Sequence, residues 1–272
     1  PLPRRRLTDS RARSRNGHVR AALTPVVLAV LLVVAGCGGG GGTAASTRPT
    51  VEGLHTQNAK GAWIFRPAGT PKRLVIFFHG QGGETEATPA NHRQWIDHLV
   101  KHGAVVVYPR YEQIYSPAVL APAIAGIQRA SGRLDLKGLP VLALGYSRGA
   151  ALAVEYAAVA GRRHVPVPDA VESVNPVPYG ETAHIVDLTP VRSRTVLAVI
   201  VSEQDPHAAD GAELLLQRLR AVGFPGNQIE LNIARSHGSF TADHLAPLSS
   251  LPAARAAYWA PTDALIRSLN RK

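Results

Sequence analysis

Ser147 lies at the centre of Gly145-Tyr146-Ser147-Arg148-Gly149, with glycine two residues before it and two after. Val141-Leu142-Ala143-Leu144 ahead of it reads as a buried strand, and the alanine-rich run from Ala150 reads as a helix. The serine therefore stands where a strand turns sharply into a helix. Such a corner strains the backbone, points the hydroxyl out of the turn, and needs glycine where neighbouring chain passes close. A helix starting at Arg148 also brings backbone N–H groups and the positive end of its dipole beside that oxygen, where negative charge develops during acyl transfer. The chemistry favoured is nucleophilic attack on a carbonyl. Gly-x-Ser-x-Gly alone is a weak signal in a chain with 25 glycines, so the rest of the sequence has to supply the partners.

A serine hydroxyl is a poor nucleophile until a histidine takes its proton and a carboxylate orients that histidine. Thr195-Val196-Leu197-Ala198-Val199-Ile200-Val201 is a β-branched apolar run, and the loop after it, Ser202-Glu203-Gln204-Asp205-Pro206-His207, carries the acids. Asp205 is the leading candidate and Glu203 a competitor. Gln228 to Ile233 alternates like a further strand and leads into Ala234-Arg235-Ser236-His237-Gly238-Ser239-Phe240. That makes His237 the leading base, with His207 and His244 as spare candidates nearby. Upstream, the apolar run Arg73 to Phe78 enters His79-Gly80-Gln81-Gly82-Gly83. Glycines there let the main chain approach a reacting carbonyl, so the N–H of Gln81, aided by Gly82, would pair with the N–H of Arg148 as an oxyanion hole, with His79 supporting the loop. The cluster lacks the Gly-Lys-Ser/Thr ending of a phosphate loop and opens no dinucleotide fingerprint.

Ser147, Asp205 and His237 follow the chain order of α/β-hydrolases, which differs from the orders used by the chymotrypsin and subtilisin folds. Through His79-Gly80-Gln81-Gly82-Gly83, Gly145-Tyr146-Ser147-Arg148-Gly149, Asp205 and Ser236-His237-Gly238-Ser239-Phe240, the chain resembles the α/β-hydrolase superfamily of serine esterases and lipases. The resemblance spans about residues 60 to 270. It implies a mostly parallel central sheet of about eight strands flanked by helices, and two-step hydrolysis of an ester or related acyl bond without a metal or other cofactor. The sequence departs from the pattern at Ser202, where many relatives have glycine.

These residues need a scaffold, and 272 residues with 45% hydrophobic side chains can bury one large α/β domain. Periodicity predicts strands near 61–66, 73–79, 104–108, 139–145, 169–174, 196–201 and 228–233, and helices near 90–102, 117–131, 148–161, 209–222 and 254–270. Alternation of this kind gives a parallel sheet. Only some twenty residues separate Val174 from Thr195, where lipases commonly insert a lid, so little or no lid and an open site are expected. Tyr111 and Tyr179, with Tyr115 and Pro176-Val177-Pro178, are candidates for lining an apolar substrate pocket, with ordinary packing as the alternative.

Residues 1–36 carry seven arginines and one acid ahead of an apolar stretch from Ala21 to Ala35 that is too short to span a bilayer comfortably. This is the pattern of an export signal peptide. Val34-Ala35-Gly36-Cys37 resembles a bacterial lipobox, which implies cleavage before Cys37 and lipidation of its sulfur. Residues 37–50 then form a glycine-rich tether and 51–272 the catalytic domain, held at the extracytoplasmic face of the cell membrane. An ordinary secretion signal is the alternative. The net charge of +11 does not imply nucleic acid, because beyond residue 36 there remain 23 basic against 18 acidic residues and no nucleic-acid signature. His92, His98 and His102 fall on one predicted helix, but no zinc-protease glutamate accompanies them, so a solvated face and no metal are expected.

The combined expectation is a membrane-tethered serine hydrolase acting on a small-molecule acyl ester. The same residues would serve transfer of the acyl group to an acceptor other than water, and the fold alone would also suit a non-catalytic binding protein.

Overall fold

In strand β3 (Arg73–Phe78), Leu74, Ile76 and Phe78 pack into one hydrophobic cluster while Val75 and Phe77 pack into another, and all five are buried. That alternation is the signature of a strand covered on both faces, as parallel sheets require. The computed structural model describes residues 48–54, 61–81, 88–111, 119–177 and 186–269. Cys37, the signal and tether segments up to residue 47, Gly82, Gly83, Tyr115 and Tyr179 lie outside the described residues. So does 178–185, part of the segment from which an open site without a lid is expected.

The other strands are β1 (Thr50–Leu54), β2 (Ala62–Arg66), β4 (Ala104–Pro109), β5 (Val141–Tyr146), β6 (Ala170–Val174), β7 (Val196–Ser202) and β8 (Ile229–Ala234). They form one eight-stranded sheet in the order β1-β2-β4-β3-β5-β6-β7-β8. β2 pairs antiparallel with both neighbours, and every pairing from β4 to β8 is parallel. Helices α1 (Arg93–Lys101), α2 (Leu120–Ser131), α3 (Arg148–Val159) and α4 (Pro206–Ala221) lie between successive strands. The chain closes with a helical turn (Pro252–Ala254), a π-helical stretch (Arg255–Trp259) and α5 (Ala260–Leu269).

The helices divide between the two faces of the sheet. Ile124 and Ile127 of α2, Leu152 of α3 and Leu215 of α4 pack with Leu74, Ile76 and Phe78. Trp95, Ile96 and Leu99 of α1 pack with Val75, Phe77, Tyr258, Trp259 and Leu265 on the opposite face. In α1 the buried residues Trp95, Ile96, Leu99 and Val100 recur at helical spacing, so a single stripe meets the sheet. Burying each such side chain contributes about 1.5–3 kcal/mol.

The alternation of strands and helices is as the sequence predicts, with one strand added. β1 is half exposed, carries a glutamate and a glycine, and pairs only with β2, so it lacks the apolar contrast that marks the inner strands.

Candidate active site

β5 ends at Tyr146 and α3 begins at Arg148, which leaves Ser147 alone at the corner with φ 56° and ψ −122°. A non-glycine residue rarely adopts this conformation, which costs on the order of 1–3 kcal/mol. The corner is held by Ser147 N–H donating to the Val174 carbonyl at 2.8 Å and by Ala150 N–H donating to the Ser147 carbonyl at 3.0 Å. Both glycines of the motif are sterically required. A Cβ on Gly145 would lie 2.0 Å from the Gly149 carbonyl oxygen, and one on Gly149 would lie 2.2 Å from that of Phe78.

Asp205 follows β7 and forms the N-cap of α4, with Pro206 in the first turn. Its Oδ1 accepts from the Ala208 N–H at 3.1 Å, which leaves Oδ2 free to face the cleft. Glu203, its competitor in the sequence, is held elsewhere. It accepts from Ser236 N–H at 2.9 Å and from Arg235 at 3.1 Å, and these contacts lower its pKa.

The histidine that meets both groups is His244. Its Nδ1 donates to Asp205 Oδ2, and its Nε2 lies 2.9 Å from Ser147 Oγ. An ionised carboxylate has no proton to give, so Nδ1 carries the hydrogen and the Nε2 lone pair faces the serine hydroxyl. This corrects the assignment of His237. His237 is exposed and pairs with Phe240 through reciprocal main-chain bonds of 3.0 Å, closing a tight turn at Gly238, which has φ 56°. The chain leaves β8, makes that turn away from the site, and reaches Ser147 only on its return. A readable signal was present. Ser236-His237-Gly238-Ser239 has turn chemistry, and Asp243 Oδ1 accepts from the N–H groups of Leu245 and Ala246, fixing the bend that presents His244.

The loop after β3 comes close to the corner, since a Cβ on Gly80 would lie 3.2 Å from Ser147 Cβ. Gln81 stands at the rim, where its Oε1 accepts from Arg148 Nη1 at 3.4 Å. The Arg148 side chain is buried, and its backbone N–H is the first of α3, at the positive end of the helix. The buried His79 ring stacks on Tyr111 with centroids 3.8 Å apart, its Nδ1 donates to the Gly80 carbonyl at 2.8 Å, and the Tyr111 hydroxyl donates to the His79 carbonyl. Tyr111 is thus a buried brace beneath this loop and not a wall of the substrate pocket, which corrects its assignment. A cleft of about 480 Å³ opens over Ser147 and His244, walled by Gln81, Arg148, Val177 and His207.

Of the three histidines near α1, His102 is exposed, His98 partly so, and His92 buried, so the expected solvated face holds only in part. His92 is buried against the rings of Phe77 and Tyr146, His98 pairs with Asp263 at 2.9 Å, and His102 Nδ1 donates to the His98 carbonyl. Among the described residues no cluster of three or more His, Cys, Asp or Glu side chains is arranged to hold a metal ion.

The architecture is shared with solved esterases. The chain is similar to a thermostable esterase from Pseudomonas putida, with TM-score 0.59 and 21% identity over 81% of this chain and 83% of that one. It is similar to carboxyl esterase 2 from Tuber melanosporum, with TM-score 0.62 and 17% identity over 83% and 89%. It is also similar to the esterase LipW from Mycobacterium marinum, with TM-score 0.59 and 19% identity over 82% and 83%. No protein-family model matches the sequence, and no curated protein matches it significantly. At such identities the likeness is one of fold, and the fold is that of the α/β-hydrolases.

Proposed function

We propose that this protein is a serine ester hydrolase in which Ser147 is the nucleophile, His244 the general base and acid, and Asp205 the group that orients His244. The supporting observation is the continuous line from Ser147 Oγ through His244 Nε2 and Nδ1 to Asp205 Oδ2 at the mouth of a cleft. As Ser147 Oγ attacks the acyl carbon, its proton passes to His244 Nε2, and the resulting imidazolium is stabilised by Asp205. The carbonyl oxygen becomes an oxyanion, for which the N–H groups of Gln81 and Arg148 are the donors. Collapse breaks the ester bond, the alkoxide leaves with the proton from His244, and an acyl-serine remains. Water then attacks the acyl carbon while His244 takes its proton; collapse breaks the bond from the acyl carbon to Ser147 Oγ, His244 returns the proton to that oxygen, and the acid leaves. The solved neighbours named as esterases have the same fold and support this reading.

Replacing Ser147 with Ala should abolish turnover of a p-nitrophenyl ester and labelling by a fluorophosphonate while leaving the thermal melt in place. Turnover at the parent rate would overturn the reading.

The sequence ahead of the domain extends the proposal to location: export, lipidation of Cys37, and tethering at the extracytoplasmic membrane face through the glycine-rich segment.

A further inference from the structure

Ser202 stands where many α/β-hydrolases have glycine, and its hydroxyl has a use here. Asn175, just beyond β6, is fully buried with φ 47°, a conformation asparagine tolerates better than most residues. The N–H of Ser202 donates to Asn175 Oδ1 at 2.8 Å, which decides which way the amide faces. Asn175 Nδ2 therefore points its hydrogens at Ser202 Oγ, 2.8 Å away, and at the carbonyls of Asp243 and His244, each 3.4 Å away. Ser202 Oγ is in turn 2.6 Å from the Tyr258 hydroxyl, which the π-helical stretch delivers from the C-terminal segment. Burial pushes the Tyr258 pKa up to about 12, so that hydroxyl keeps its proton at any working pH.

A second group reaches the same carbonyl. The Tyr146 hydroxyl, from the residue preceding Ser147, donates to the His244 carbonyl at 2.8 Å. The main chain of His244 is therefore gripped from β5 by Tyr146 and from β6 by Asn175. Its side chain is one-third exposed at the cleft mouth, with the Tyr146 ring 5.4 Å from the imidazole on the covered side.

We propose that Asn175, locked by Ser202 and Tyr258, acts with Tyr146 as a positioning pair that fixes the His244 backbone and so the imidazole between Ser147 and Asp205. The inference rests on the reading of His244 as the general base. Neither positioning residue need touch the substrate. Their effect is on the geometry of proton transfer, where displacement by about 1 Å can cost on the order of a hundredfold in rate.

The test compares Tyr146→Phe, Ser202→Ala, Tyr258→Phe and Asn175→Asp with the parent and with Ser147→Ala. Asn175→Asp keeps the shape and the tolerance for positive φ but turns a donor into an acceptor facing two carbonyls. Turnover of the variants that keep Ser147 is expressed per fluorophosphonate-titrated site, so that unfolded protein does not count, and that of Ser147→Ala per mole of protein. Tyr146→Phe and Ser202→Ala should each lower kcat about tenfold with KM little changed, and the double variant should lose more than the product, because either grip alone retains the carbonyl. Histidine ¹⁵N NMR supplies a readout independent of turnover: His244 should show one tautomer in the parent and an averaged signal in the double variant. Parent-like kcat per site with an unchanged His244 signal would overturn the inference, as would a fall in melting temperature without a fall in kcat per site. If Ser147→Ala remains active, the reading of the site fails instead. If Ser147→Ala is inactive while Tyr146→Phe and Ser202→Ala behave as the parent, only the positioning inference fails.

Discussion

His244 Nε2 lies 2.9 Å from Ser147 Oγ, while His237, earlier in the same loop, is turned to solvent and bonded to Phe240. The two histidines should therefore respond oppositely to substitution. His244→Ala should lower kcat by about 10³-fold or more, because removing the base disables the serine as well. His237→Ala should leave kcat within about twofold of the parent, since surface changes away from the site have small effects. Steady-state kinetics with a short-chain p-nitrophenyl ester checks both, and equal losses would contradict the geometry.

Asp205 divides its oxygens between the Ala208 N–H and His244 Nδ1. Asp205→Asn keeps the shape of the cap but presents an amide donor or a neutral oxygen to the imidazole, which favours the wrong tautomer. A fall in kcat on the order of 10⁴-fold is expected by analogy with other serine triads. Asp205→Ala should in addition lower stability by about 1 kcal/mol through loss of the helix cap. Kinetics paired with thermal melts separates the two effects.

The Gly145 and Gly149 positions can be tested against a glycine that has room. Gly145→Ala and Gly149→Ala each place a methyl within 2.2 Å of a carbonyl oxygen, so each should destabilise by about 1–3 kcal/mol or more and displace Ser147. At Gly226 an added Cβ meets nothing within 4 Å, and Gly226→Ala should be neutral or stabilising by up to about 1 kcal/mol. Urea denaturation of the three variants measures the contrast.

What the sequence made legible was decided by how local each cause is. The corner at Ser147 is specified within five residues, since two glycines, an apolar strand and an alanine-rich helix all act on that one turn. Asp205 was readable for the same reason, because it stands in the short loop directly after the apolar run of β7. His244 was legible only as a spare candidate: the turn at Gly238 is local, but the choice between the two histidines also rests on grips from Tyr146 and Asn175, which are distant in the chain. Tyr111 misled through its type: an aromatic near the site suits a substrate wall, yet its ring lies under His79. Asn175 carried no periodic signal at all, and only the side-by-side ends of the parallel strands β6 and β7 make its amide useful.

The proposed tether makes a separate claim that does not involve the triad. In a bacterial host that processes lipoproteins, the parent should partition with membranes and be released by detergent, whereas Cys37→Ser should fractionate without a lipid anchor. Esterase activity per molecule should be equal in both fractions. Parent protein recovered wholly in the soluble fraction would refute lipidation and leave the catalytic reading intact.

Glu172 introduces a pH dependence of stability that has its origin away from the cleft. It lies on β6, fully buried, with Thr262 Oγ1 donating to Oε1 at 3.1 Å, while Oε2 has no hydrogen-bond partner. Burial raises its pKa from 4.5 to about 8, opposed in part by the Thr262 bond. Between those values the folded protein keeps a proton that the unfolded chain has already lost. The folded state then binds more protons, so the contribution of Glu172 to stability is fullest below pH 4.5, falls as pH rises towards 8, and is flat above it. The loss should be on the order of 5 kcal/mol. Glu172→Gln accepts the same Thr262 bond and does not titrate. Relative to that variant, the parent should lose roughly 10–20 °C of melting temperature between acid and alkaline ends of the window, at about 2–4 °C per kcal/mol for a domain of this size. Melts of both proteins across the window, plotted as a difference, check this, and a constant difference would show that Glu172 is ionised in the folded state throughout.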